Sequence, residues 1–297
     1  MIPAAFDYHH PSDIDEVLAL LDEHGWEAKI LAGGQSLIPA MRFRLAEPGT
    51  IVDVNGLTEL ERFEESDGFL HIGPMVRHAT IAESNLVHDR YPLLADAAVV
   101  IADPLVRNRG TVGGSLVHAD PAGDWGSVML AYRAELTVRR VGGERTLPID
   151  ELFLTTFLTS LEPNELVTGI RIPAASSRQG GAYEKLERKV GDFATVGVAT
   201  QIALAEDGSV SAAGIGLTAV GATSLRAAGA EGELLGSGAD AAAIEAAAVK
   251  AAEASNPTAD TRGSEEYKRD MVRVLTGRAL RRSVDRARAA SGPVGRR

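Results

Sequence analysis

The chain has 297 residues, room for roughly two ordinary domains, and its 45% hydrophobic and 24% charged content is that of a folded globular protein. It contains no cysteine, which excludes disulfides, thiolate catalysis, iron–sulfur ligation and thiolate zinc sites within the chain itself. A net charge of −11 argues against nucleic acid as a partner, and no run approaches the ~18 consecutive apolar residues of a membrane span.

In chain order, Met1 to His10 lacks the basic and apolar regions of a secretory signal, so a cytoplasmic protein is expected. Ser12 or Asp13 caps a predicted helix whose apolar Ile14, Val17, Leu18 and Leu21 follow helical spacing, and His24-Gly25 ends it. Ala28 to Leu31 reads as a short buried strand, then come a Gly-Gly turn, a helix from Leu37 to Phe43 and a strand from Ile51 to Val54. This small α/β layer is expected to pair in parallel. Phe69 to Ile72, Ala134 to Arg139 and Leu166 to Ile172 read as strands, separated by helices near 78–84, 92–101 and 124–132. Gly142-Gly143 signals a hairpin turn, and Arg107 to Ser115 a glycine-rich loop entering a helix.

The aperiodic Pro, Ala, Ser and Gly cluster from Pro173 to Gly181 marks a boundary. Beyond it, Tyr183 to Val190, Thr195 to Leu204 and Ser209 to Thr218 read as three antiparallel strands, with Asp207-Gly208 as the turn between the last two. Helices at 224–235, 240–254 and from Ser264 to about Ala290 complete the chain; the Ala-rich segment is a helix by propensity rather than a linker. Residues 265–297 carry ten Lys or Arg, among them Arg296 and Arg297, against four acids, leaving −17 on the remainder. Cations suit a helix C-terminus, and the same charge also suits a docking surface for an acidic partner; both readings stay open.

Two glycine doublets stand out, AGGQS at residues 32–36 and TVGGS at 111–115. Each sets side-chain-free backbone before a helical start, with Ser36, Thr111 and Ser115 as hydroxyl donors. Main-chain N–H groups at such a start are expected to face an anion, and a plain pair of tight turns is the alternative. No Gly-Lys-Ser/Thr follows either doublet and neither fits G-x-G-x-x-G, so neither a P-loop nor a Rossmann site is indicated. His118, Asp120 and Asp124 lack a recognisable further ligand set for a metal. Asp124 suits either a cap on the helix from Trp125 or a contact to cofactor hydroxyls. Arg107-Asn108-Arg109 suits phosphate or simple solvation of its loop. Lys185 suits a place beside an electron-rich ring or a surface ion pair with Glu184 or Glu187.

The strings Lys29 to Pro39 (KILAGGQSLIP) and Arg107 to Leu116 (RNRGTVGGSL) resemble the FAD-binding module of the xanthine dehydrogenase family of molybdenum hydroxylases. Ala182 to Ala194 (AYEKLERKVGDFA) is similar in particular to the medium subunits of aerobic carbon monoxide dehydrogenases, and the likeness spans essentially the whole chain. The resemblance implies an α+β protein. Its FAD-binding domain, residues 1–175, is of the vanillyl-alcohol-oxidase type with two α/β subdomains at about 1–55 and 56–175. A C-terminal domain of a three-stranded antiparallel sheet and helices follows at 180–290.

The resemblance further implies non-covalent FAD on two diphosphate loops, Ala32, Gly33, Gly34, Gln35, Ser36 and Leu37 in one, Gly110, Thr111, Gly113, Gly114 and Ser115 in the other. Asp124 is implied as a cofactor contact, Lys185 as a lysine near the flavin, and Leu166 and Val167 as apolar packing against it. Phe193 stands where the family's close members carry Tyr, and Gln35 where His is common. The molybdenum cofactor and two two-iron two-sulfur clusters are implied only in partners, a large molybdenum subunit and a small iron–sulfur subunit, assembled as a dimer of heterotrimers. An external acceptor such as quinone takes the electrons, at the inner face of the membrane if the complex is peripheral to it. Carbon monoxide is the implied substrate of the whole enzyme, although nicotine-, purine- and ring-hydroxylating relatives share these motifs. The rival readings are a stand-alone FAD oxidase or dehydrogenase of a small substrate, and a nucleotide-binding assembly subunit.

Overall fold

The computed structural model describes residues 2–290; Met1 and residues 291–297, with Arg296 and Arg297, lie outside the described residues. The first layer holds β1 (Asp7–His9), α1 (Ile14–His24), β2 (Ala28–Leu31), α2 (Leu37–Arg42) and β3 (Thr50–Asp53), its sheet ordered β1-β3-β2 and parallel throughout. The Asp13 carboxylate accepts the Glu16 N–H at 2.8 Å and so starts α1, and Gly25, at φ 51°, ends it. Ile14, Val17, Leu18 and Leu21 face Val52 and Val54 in one core. The exposed three-residue β1 carries no alternation, and the sequence gives no sign of it.

The second layer holds β4 (Phe63–Ser66), β5 (Phe69–Ile72), α3 (His78–Glu83), α4 (Asn85–Arg90), α5 (Pro92–Val100), α6 (Pro104–Arg107), α7 (Val112–His118) and α8 (Asp124–Tyr132). β6 (Glu135–Arg140), β7 (Gly143–Pro148), a small hairpin β8 (Phe153–Thr155) and β9 (Leu158–Thr159), and β10 (Leu166–Pro173) complete it. Its main sheet is antiparallel, ordered β4-β5-β10-β6-β7, and covered by α5 and α8 through Leu93, Leu94, Trp125 and Met129.

The third part is β11 (Gln179–Leu186), β12 (Val196–Leu204), β13 (Val210–Thr218), β14 (Leu225–Arg226), α9 (Ala228–Leu234), α10 (Ala241–Ala254) and α11 (Glu265–Ala289). Three details depart from the sequence reading. β11 runs from 179 to 186 rather than 183 to 190, because Gly180 is a close-packing residue and not a breaker: a Cβ there would overlap the Ser283 carbonyl oxygen on α11. The segment at 224–235 opens as the edge strand β14, which makes the sheet four-stranded, and turns helical only at Ala228. Arg107 belongs to α6 rather than to a loop.

Helix α8 joins the second and third parts. A Cβ on Gly214 or Gly216 of β13 would overlap the carbonyl oxygens of Ala131 and Ser127, so helix and sheet touch backbone to backbone. All nine residues of α8 are buried. Arg282 and Arg286 of α11 reach Asp96 on α5 at 3.0 and 2.6 Å, strapping the same junction from outside. Much of the basic charge of α11 is therefore paired within the chain, with Arg273 on Glu245 and Lys268 on Asp260 as further cases.

Candidate functional site

The loop after β2 bends at Gly34, whose φ of 72° is the left-handed conformation that suits glycine. Beside it, Gly33 lies flat against the second loop: a Cβ there would overlap the Arg109 carbonyl oxygen and stand 2.8 Å from Gly110 Cα. A Cβ on Gly114 would come within 3.6 Å of Ala32. Two segments some 75 residues apart in sequence are thus brought into backbone contact. The N–H groups of Gly33, Gly34, Gln35, Ser36 and Leu37 meet no protein acceptor among the described residues. The Gln35 amide turns back to the Gly33 carbonyl oxygen at 3.3 Å.

The second loop is different, and here the structure corrects the expectation that both loops present free N–H groups. Val112 N–H donates to Val76 O and Gly113 N–H to Pro74 O, both at 3.0 Å. Gly114 N–H donates to the Thr111 hydroxyl at 3.1 Å, and Ser115 N–H to Thr111 O at 3.0 Å. The strap 73–78 takes the first two, and Thr111, the N-cap of α7, takes the others. Gly113 is glycine because Pro74 fills the space of its Cβ.

Below the contact sit residues that the motifs do not reveal. The Asn55 amide nitrogen donates to Ala32 O at 2.8 Å, Leu31 O at 3.3 Å and Asp53 Oδ1 at 2.6 Å, and its oxygen accepts from Arg77 at 2.8 Å. Arg77 also donates to Arg109 O. His78 is buried against Gly110, accepts from Trp125 Nε1 at 3.0 Å, and has its pKa pushed down to about 4, first by burial and then by Arg77 and Arg107. Their only sequence signals are a polar Asn just past strand β3 and an Arg-His pair at the start of a helix.

Arg107 serves neither proposed role: its guanidinium donates to Ile101 O and Ala102 O at 2.9 and 3.1 Å, holding the end of α5. Arg109 is exposed and, like Arg77, has no carboxylate within ion-pair distance among the described residues. His118 stacks on Phe157, with ring centroids 5.0 Å apart, and burial lowers its pKa; Asp120 caps the Ala122 N–H at 2.9 Å.

Asp124 is not the cap of α8, which is Gly123. Its carboxylate is buried, accepts from Tyr183 Oη at 2.7 Å and Lys185 Nζ at 3.1 Å, and burial raises its pKa against the pull of those two donors. Lys185, 3% exposed in its side chain, also donates to Val100 O at 3.0 Å and stands 3.6 Å from Glu187. The surface pair envisaged for it is thus a buried cluster that ties β11 to α5 and α8, and Glu184 pairs with Arg282 instead. Leu166 and Val167 are each 4% exposed and sit in two protein cores. Phe193 is 54% exposed, in the loop between β11 and β12.

Residues 4–175 match the profile of the family described as FAD binding domain in molybdopterin dehydrogenase, and residues 181–283 that of the CO dehydrogenase flavoprotein C-terminal domain. The carbon monoxide dehydrogenase medium chain of Hydrogenophaga pseudoflava is 42% identical over 94% of this chain and 97% of its own. The 6-hydroxypseudooxynicotine dehydrogenase complex subunit alpha of Paenarthrobacter nicotinovorans is 37% identical over 97% of both. The solved structure of carbon monoxide dehydrogenase from Hydrogenophaga pseudoflava, in a form lacking the Mo-pyranopterin moiety of its cofactor, superposes with a TM-score of 0.93, covering 96% of this chain and 99% of that one at 43% identity. Among the described residues, no helix is long and apolar enough to cross a membrane.

Proposed function

Because this chain belongs to the FAD-binding subunits of the molybdenum hydroxylases, the family that includes the carbon monoxide dehydrogenase medium chains, we propose that it is the electron-transfer subunit of a carbon monoxide dehydrogenase-type complex. Electrons reach it from a small iron–sulfur subunit, substrate is oxidised on a large molybdenum subunit, and the chain delivers the electrons to an external acceptor such as quinone. The absence of cysteine in this chain agrees with iron–sulfur clusters lying in a partner. The proposed place is the cytoplasm, in a dimer of heterotrimers. The division into a domain at 1–175 and one at 180–290 belongs to the same reading, and the two profile matches, ending at 175 and resuming at 181, support it.

The observation that carries the cofactor assignment is the meeting of the two loops. Five consecutive main-chain donors without a protein acceptor lie beside two guanidiniums without a carboxylate partner. Such a set fits a diphosphate, because each charge-assisted hydrogen bond contributes ~1.5–3 kcal/mol only when the partner is anionic. FAD, when bound, supplies the redox chemistry; the protein supplies position and electrostatics. On this reading Gly33 to Leu37 bind the diphosphate, with Ser36 and Ser115 adding hydroxyl donors. Thr111, Gly113 and Gly114 shape the second wall, and Asp124 with Lys185 fixes the charge where the third part meets the second. Phe193 offers ring packing without the phenol hydroxyl. The test is release of cofactor from the purified full chain by denaturation, followed by chromatography. FAD in near-stoichiometric amount is expected; FMN alone, or no flavin from chain expressed with its complex, overturns the assignment.

A further inference from the structure

Asn55 and Arg77 form one bridge under both loops. Asn55 hangs from the carbonyls of Leu31 and Ala32 at the start of the first loop, and Arg77 from the Arg109 carbonyl at the start of the second. They join through a 2.8 Å hydrogen bond from Arg77 to the Asn55 amide oxygen. Asn55 is held from behind, because Asp53, itself bonded to Tyr8 at 2.6 Å, accepts from both its amide and its main-chain N–H. Every hydrogen-bonding atom of the Asn55 side chain is therefore used, and its orientation is fixed by donors and acceptors that cannot exchange roles.

Arg77 is half-buried, and no carboxylate lies within ion-pair distance of it among the described residues; Arg109 on the second loop opposes its charge, and Glu61 and Asp53 favour it more weakly. A half-buried cation whose carboxylate neighbours, Glu61 and Asp53, lie beyond ion-pair distance and which faces another cation is favoured further when an anion completes the site. A Lys in its place would keep the charge, but a single ammonium on a flexible stem cannot reproduce the planar fork that spans two fixed acceptors.

We propose that Asn55 and Arg77 are positioning residues that set the register of the two cofactor loops, and that Arg77 with Arg109 supplies the positive potential that draws the diphosphate to their junction. The proposal rests on the FAD reading above. It assigns affinity for the cofactor to residues outside both glycine doublets, acting through the loop carbonyls.

The experiment uses the full chain, stripped of flavin and titrated with FAD by fluorescence quenching, together with melting curves of the FAD-free proteins. Wild type that fails to bind FAD sinks the cofactor reading itself, which separates that failure from failure of the bridge. With wild type binding, Arg77→Lys and Asn55→Ser are each expected to weaken FAD about tenfold or more, while remaining folded with melting temperatures near wild type. The double variant should be little worse than either single one, since one bridge is broken in all three. Wild-type affinity in Arg77→Lys with weakened affinity in Arg77→Gln would reduce the role to charge and overturn the bridge. Unchanged affinity in all variants, or additive losses in the double one, also overturns it. Should Arg77→Lys fail to fold, Asn55→Ser alone decides, by affinity on folded protein.

Discussion

Residues 33–37 leave five consecutive N–H groups without a protein acceptor, whereas residues 112–115 place all four of theirs on Val76, Pro74 and Thr111. Both loops carry a Gly-Gly pair at a short helix, ahead of α2 in the first and within the first turn of α7 in the second, yet the glycines answer different needs. In the first, Gly34 takes a left-handed turn and Gly33 allows the other loop to approach. In the second, Gly110 and Gly113 make room for His78 and Pro74, so the loop is locked onto the strap below it. The lesson is that a glycine doublet specifies close approach, and only the inventory of main-chain donors says whether the thing approached is protein or ligand.

The largest expected effect comes from forcing the loops apart. Gly33→Val places a branched side chain on the Arg109 carbonyl and Gly110 Cα, where backbone cannot yield without moving a whole loop. The three cores lie elsewhere, so circular dichroism should show a folded protein, destabilised by roughly 1–3 kcal/mol. Flavin absorbance on the same sample should be almost absent. A folded Gly33→Val with full FAD content would mean that loop contact is irrelevant to the cofactor.

Much of this is legible in the sequence, for physical reasons. Helix α1 could be read because its buried positions repeat at helical spacing and Asp13 caps it. The Gly-Gly loops could be read because their motifs are local. What escaped depends on pairing across long separations. Asn55 and Arg77 are ordinary polar residues until β3 and the strap before α3 are set under two other loops. Lys185 reads as a strand residue with adjacent acids, but its partner Asp124 is 61 residues away. Gly180 reads as a breaker because nothing in the local sequence shows α11 crossing it.

A second expected effect concerns the locked loop alone. His78, packed on Gly110, has a pKa of about 4 in the fold, against ~6.5 in an unfolded chain. Above about pH 6.5 both states are neutral and the residue contributes no pH dependence. As pH falls from 6.5 towards 4, the unfolded chain takes up a proton that the folded one refuses, so stability falls, by at most roughly 3 kcal/mol. Below that the loss levels off. His78→Gln, whose amide oxygen can still accept from Trp125, should remove this part of the slope. Urea midpoints of FAD-free protein at pH 7 and 4.5 measure it: wild type should lose more than the variant, and parallel profiles would show that burial does not exclude the proton.

The smallest effect gives the sharpest contrast, between one hydroxyl in each loop. The Thr111 hydroxyl is buried and accepts the Gly114 N–H, so Thr111→Val removes an N-cap and leaves that donor unpaired. The cost expected is about 1 kcal/mol, a drop of roughly 2–4 °C in the melting temperature of FAD-free protein. Its effect on FAD affinity should be only that of a loosened wall. Ser36 is exposed, and its hydroxyl has no protein partner among the described residues. Ser36→Ala should therefore leave FAD-free stability within ~0.5 kcal/mol of wild type. If its hydroxyl donates to the diphosphate, the same change weakens FAD by about tenfold or more, the loss of one hydrogen bond to a charged group. Calorimetric melting and FAD titration on both variants separate the roles. Should Thr111→Val lose FAD with its melting temperature unchanged, while Ser36→Ala melts early and binds normally, then the second loop faces the ligand and the first is the scaffold.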